Sequence, residues 1–135
     1  MRYKPVLSLA DAEQILDAAR READANAWVV AIAVVDDGGH LLALRRLDGA
    51  APMASAVARH KARSAALGRK DTRVFEDMIN GGRHAYLSVP ALAATMTGGL
   101  PIRVDDTVVG AVGVSGVKPD QDEQIARAGI AVLDL

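Results

Sequence analysis

The sequence predicts a single α/β domain of the α+β kind, an antiparallel sheet covered by helices. Three observations predict it. Two strand–turn–strand patterns occur, at 28–47 and 102–114, and neither has a helix between its own strands, as a parallel pair would require. Stretches of helical spacing stand before, between and after them. The length, 135 residues, fits one domain of the usual ~100–200 residues.

The elements follow in order. Ser8 with Asp11 three residues on forms a capping-box-like start. Leu9, Ala12, Ile15, Leu16, Ala19 and Ala23 then recur at helical spacing while Asp17, Arg20, Arg21 and Asp24 take the other face, giving a helix to about Asn26. Trp28 to Val35 is a short apolar run rich in β-branched residues, followed by the turn signal Asp36-Asp37-Gly38-Gly39 and a returning strand from His40 to Leu47. Asp48-Gly49 breaks that strand. Pro52 suits a first helical turn, and Met53 to Leu67 is the second helix, closed by Gly68. A short third helix is expected over Thr72 to Ile79, with Thr72 as its cap and Asn80-Gly81-Gly82 as its end; residues 83–100 carry no clean period. Ile102 to Val104 and Thr107 to Val114 flank Asp105-Asp106 as a second hairpin, and Asp120 to Leu133 returns to helical spacing.

Composition excludes several functions. Half of the residues are apolar but only Tyr3, Trp28, Phe75 and Tyr86 are aromatic, so the core must be built from Ala, Val, Leu and Ile. Sixteen basic against seventeen acidic side chains supply no uniform positive field, and there are no stacking platforms for single strands, so nucleic acid is not expected as a partner. Without cysteine there are no disulfides, thiolate metal sites or Cys nucleophile, which fits a reducing compartment. No apolar run approaches the ~20 residues of a membrane span and residues 1–10 do not read as a signal peptide, so a cytoplasmic protein is expected.

Candidate functional residues cluster in two places. Lys61 lies on or beside the apolar face of the second helix, where a long amine must snorkel, enter an ion pair or meet an anionic ligand. His60, about 100° around that helix, reads as a haem ligand, an acid/base group or a surface histidine. Arg46 and Asp48 end the strand before this helix, so a pocket gathering Arg46, Asp48, His60 and Lys61 is the expected site, with His60 and Asp48 as its proton-moving groups. The second place is Gly98-Gly99-Leu100-Pro101-Ile102. Two glycines allow positive φ and close approach of backbone N–H groups, so Gly98 and Gly99 form either a tight turn or an anion-binding loop. Pro101 fixes the entry to the strand, and Arg103 on the same strand face reaches the same anion or is a solvated charge. Gly110 and Gly113 imply close packing of a helix or subunit on the strand. Ser115 is not a nucleophile elbow, because position 117 is Val117. His40, His60 and His84 lack paired metal-ligand spacing, so no zinc site is expected.

Several pieces in one order carry a family resemblance: Val34-Val35-Asp36 with Gly38-Gly39, Arg46-Leu47-Asp48-Gly49-Ala50, Lys61-Ala62, Gly98 to Ile102, Val109 to Gly116, and Asp122-Glu123 opening the last helix. Together they resemble the GlcG/HbpS-like family, also found as the C-terminal domain of PduO-type proteins, over nearly all of residues 1–135. The resemblance implies a profilin-like fold, homo-oligomeric assembly, and a small-ligand protein that binds haem or a related tetrapyrrole, with His60 or His84 on the iron and Lys61 or Arg103 on the propionates. Two other functions remain open. One is a small hydrolase, tautomerase or isomerase acting on a carboxylate-bearing metabolite, with Arg46 and Lys61 holding the anion; the other is a non-catalytic oligomeric scaffold or sensor. The segment 83–97 departs from the family's shorter, Pro- and Gly-rich approach to the double glycine, which implies a differently shaped pocket.

Overall fold

The computed structural model describes residues 1–135, arranged as a four-stranded sheet with helices on both faces. The elements are α1 (Leu9–Ala25), β1 (Ala31–Asp36), β2 (Leu41–Arg46), α2 (Pro52–Gly68), α3 (Thr72–Asn80), a single 3-10 turn (His84–Ser88), β3 (Gly99–Val104), β4 (Thr107–Ser115) and α4 (Pro119–Ile130). The strand order is β2-β1-β4-β3 and every pairing is antiparallel. Each hairpin contributes one central and one edge strand, and the two are joined through β1 and β4.

The expected element order is present, with shifted boundaries. Trp28 and Val29 lie before β1 rather than in it, because Ala27 turns at φ 56° and the Trp28 N–H is spent on the Ala23 carbonyl, capping α1. The second hairpin starts three residues earlier than the β-branched run suggests: Gly99-Leu100-Pro101 already pairs with 111–113. Pro101 is tolerated there because β3 is an edge strand, with no neighbour waiting for a ladder N–H on its outer side. The cap of α3 is Asp71 rather than Thr72, whose hydroxyl turns inward to serve β3.

The two sheet faces have different cores. On one, Ile32, Val34, Val112, Val114, Leu100 and Ile102 meet Ile15, Leu16 and Ala19 of α1 and Ile125 and Ala126 of α4. The other is made almost wholly of alanine, with Ala54, Ala58, Ala62, Ala65 and Ala66 of α2 lying on Ala31, Ala33, Val35 and Ala111. Small side chains let α2 come close to the strands. At its nearest point there is no side chain beneath it, because Gly99 and Gly113 are directly paired across β3 and β4. A Cβ on Gly113 would stand 2.0 Å from the Ala58 carbonyl oxygen and 2.5 Å from the Ala62 nitrogen, and one on Gly99 2.4 Å from the Lys61 oxygen.

Helix α1 starts as expected. The Ser8 hydroxyl accepts the Asp11 N–H at 3.1 Å while an Asp11 carboxylate oxygen accepts the Ser8 N–H at 2.9 Å, and these Ser8 hydrogen bonds hold the Asp11 carboxyl below its usual range. Ser8→Ala should lower Tm by a few degrees in a thermal melt, the ordinary cost of a lost N-cap; an unchanged Tm would show that tertiary packing alone sets the start of α1.

Candidate functional site

Lys61 points from α2 toward β4 and is buried. Its Nζ donates to the Val114 carbonyl at 2.9 Å and pairs with an Asp122 carboxylate oxygen at 3.0 Å, with both side chains only 4% exposed. The other Asp122 oxygen accepts the Val117 N–H at 3.1 Å. Burial pushes the Asp122 carboxyl above the ordinary aspartate range, opposed by the Lys61 charge, its hydrogen bond and the Val117 N–H. The pair therefore ties α2, β4 and the first turn of α4 together. Of the two readings of Lys61, the structure gives it an internal ion pair, and its amine is not available to a ligand.

The double glycine serves that pair. Gly98, at φ 129°, has Lys61 Nζ, the Val114 oxygen and the Asp122 Cβ all within 3.0 Å of where a side chain would begin. The Gly99 N–H is accepted by the Thr72 hydroxyl at 2.9 Å. Both glycines are buried under protein, so the close approach they permit is to α2 and α3, not to an anion. Of the two readings of this loop, the contacts in this structure are those of a tight turn packed by protein, with Pro101 paired to Ala111 in the strand that follows.

The expected gathering of Arg46, Asp48, His60 and Lys61 is not formed. Arg46 pairs with Ala31 and shares the α2 side of the sheet, but on the edge strand β2, with β1 between it and the β4 strand over which Lys61 lies. Asp48 turns to the opposite side, lining a hollow of about 320 Å³ with Arg20, Asp24 and Trp28. Arg103 is on the other edge strand, its guanidinium donating to the Arg69 carbonyl at 2.6 Å. His84 is exposed on the 3-10 turn.

His60 keeps a different company. The sheet-facing line of α2 runs through Ala54, Ala58, Ala62 and Ala65, so His60, some 200° around from Ala58, is on the outer side. Its Nδ1 is fully buried without a hydrogen-bond partner, and so is the Oγ of Ser64 one turn later. The residue is only half buried, and Nε2 reaches solvent without a protein partner. Met53, exposed, and Val57, half-buried, continue this stripe toward the helix start. At the other end Gly68 admits the ring of Phe75 against the helix, and Phe75 packs against Tyr86 with ring centres 5.9 Å apart and the ring planes tilted by 44°. A histidine edge, a buried hydroxyl, a thioether and an aromatic pair thus lie along one outer stripe. Sequence reading singled out His60 but passed over Ser64 and Phe75. The i, i+4 spacing of His60 and Ser64 was the available signal.

The comparisons with known proteins agree with this architecture. Residues 7–131 match the family described as "Haem degrading protein HbpS-like". Protein GlcG of Escherichia coli strain K12 is 50% identical over 115 residues, covering 85% of each chain. A crystal structure of a Streptomyces reticuli HbpS double mutant superposes with a TM-score of 0.91 at 31% identity, covering 100% of this chain and 92% of that one. A crystal structure of a PduOC–haem complex superposes with a TM-score of 0.86 at 27% identity, covering 96% of each. With the family model matching residues 7–131, and a relative 50% identical over 85% of the chain, the chain belongs to the HbpS-like family.

Proposed function

We propose that this protein binds haem or a closely related tetrapyrrole on the outer stripe of α2, with His60 as the donor to the iron. The observation that carries the reading is the half-buried His60, whose Nδ1 has no partner while Nε2 reaches solvent. With Nδ1 shielded and Nε2 without a protein partner, Nε2 is the ring nitrogen left free to donate to an iron. The residues present fit the group. Met53 and Val57 offer apolar contact along the stripe, the half-buried Tyr86 lies at its end against the buried Phe75 and beneath the Arg83 guanidinium, and Arg63, the i+3 neighbour of His60, carries a guanidinium whose one hydrogen bond is to the Gly39 carbonyl at 3.5 Å. In this arrangement Arg63 pairs with a propionate, replacing Lys61 and Arg103 in that role. Haem, when bound, supplies a redox-active iron whose behaviour is set by its axial donor and the polarity around it. The haem complex of the PduOC relative supports the ligand class.

For the alternative of a small enzyme acting on a carboxylate, this chain does not bring the expected groups together, since Lys61 is paired with Asp122 and Arg46 and Asp48 face opposite sides of the sheet. Titration of the purified protein with haemin should give a saturable Soret shift at micromolar protein with one haem per chain; a linear, unsaturated absorbance increase would overturn the proposal.

A further inference from the structure

A second site lies beyond the C-terminal end of α2, on the side of the N-terminal segment. The N-terminal segment, the α2–α3 junction and the β3–β4 hairpin enclose a cavity of about 610 Å³, within the size range of small-molecule sites. Four cations line it, Arg2, Lys4, Arg69 and Arg103, against two carboxylates, Asp37 and Asp106. Lys4 and Asp37 form an ion pair with each other, which also draws the Asp37 carboxyl below its usual range. Arg69 also acts on the Asp37 carboxylate, and the four cations against two carboxylates leave an excess of two positive charges in one concavity of a chain whose net charge is −1.

The two central arginines are held by main chain and not by acids. Arg69 Nη1 donates to the Asp37 carbonyl at 2.6 Å and to the Ala66 carbonyl at 2.7 Å, and Arg103 Nη2 donates to the Arg69 carbonyl at 2.6 Å. Carbonyl oxygens fix the direction of a guanidinium without cancelling its charge, and each fork keeps further N–H donors unspent. Arg69 is also placed at a conformational cost. It ends α2 in the left-handed region at φ 57°, where glycine is the usual residue. A side chain kept at a strained glycine position, aimed by two carbonyls beside a second fixed arginine, has the form of a preorganised oxyanion receptor.

We propose that this cavity binds a small oxyanion carrying at least two negative charges, a phosphate ester or a di- or tricarboxylate, with Arg69 and Arg103 as its paired forks and Arg2 closing over it. The site shares no residue with the outer stripe of α2. Arg69 lies nine residues beyond His60, roughly 13 Å along the helix. It therefore stands apart from the haem reading, and either can fail without the other.

Titration calorimetry at low, matched ionic strength, with pyrophosphate in one arm and citrate in the other, tests it. One-to-one saturable binding of either probe is expected, and the probe that binds more tightly identifies the phosphate or the carboxylate source. Arg103→Gln and Arg69→Gly should each weaken binding at least tenfold; glycine suits the φ of position 69, so this second variant keeps the helix end. Haemin titration of both variants should be unchanged. No saturable binding of either probe to the unmodified protein would overturn the site, as would variants that bind as tightly as it does, since diffuse surface charge would then account for the effect.

Discussion

Lys61→Met is expected to destabilise the fold by about 3–5 kcal/mol, because it strands the Asp122 carboxylate in a buried position without its partner. The variant also leaves the Val114 carbonyl without the amine that it accepts from at 2.9 Å. The effect should depend on pH in a determined direction. The folded pKa of Asp122 lies above its unfolded value, so the carboxyl contributes its stability below the unfolded pKa and loses it as pH rises through the folded one. Without Lys61 the opposing charge is gone and that pKa rises further. The deficit of Lys61→Met relative to the unmodified protein should thus be smallest in acid and grow toward neutral pH. Combining it with Asp122→Asn should recover much of the loss, since the neutral asparagine removes the unpaired buried charge and its oxygen can still accept the Val117 N–H. Urea melts at several pH values measure all of this; equal deficits at every pH, with no recovery in the double variant, would show that Lys61 acts through packing alone.

Gly113→Ala should be nearly as damaging, at about 3 kcal/mol, the upper end of the usual cost of overpacking. The added methyl would overlap the Ala58 carbonyl oxygen and the Ala62 nitrogen, and both belong to helix backbone that cannot rotate away. Helix α2 would have to lift from β4, opening the alanine core on that face and pulling Lys61 off Val114. Gly82, by contrast, has nothing near its absent Cβ, but its φ of 107° makes it an unsuitable control. Ala56→Ser on the exposed side of α2 is a better one and should leave the denaturation midpoint almost unmoved. A Gly113→Ala midpoint within error of the unmodified protein would contradict the close approach of helix and strand.

Much of this fold was legible in the chain. The capping box at Ser8, the turn at Asp36 to Gly39 and the periodicity of 53–67 act locally, so they locate α1, the first hairpin and α2 directly. The glycines of β4 were legible as marks of close approach, but not of what approaches. That depends on Gly99 and Gly113 meeting across the strands beneath α2, a pairing between residues fourteen positions apart. Lys61 could be placed beside the apolar face by spacing, whereas its partner Asp122, sixty-one residues on, looked like an ordinary acid in a first helical turn. The expected pocket failed for a related reason. Nearness in sequence put Arg46 and Asp48 beside α2, but the order β2-β1-β4-β3 sends β2 to the far edge, and the turn at Gly49 carries Asp48 to the α1 side. Strand order arises from how the two hairpins join, and no local signal encodes it.

His60 is the group on which the proposed tetrapyrrole site depends most. Parallel haemin titrations of the unmodified protein and of His60→Ala test that claim directly. A saturable Soret shift is expected in the first and a displaced Soret band with at least tenfold weaker binding in the second, at unchanged Tm. Identical Soret positions and affinities in the two proteins would contradict it.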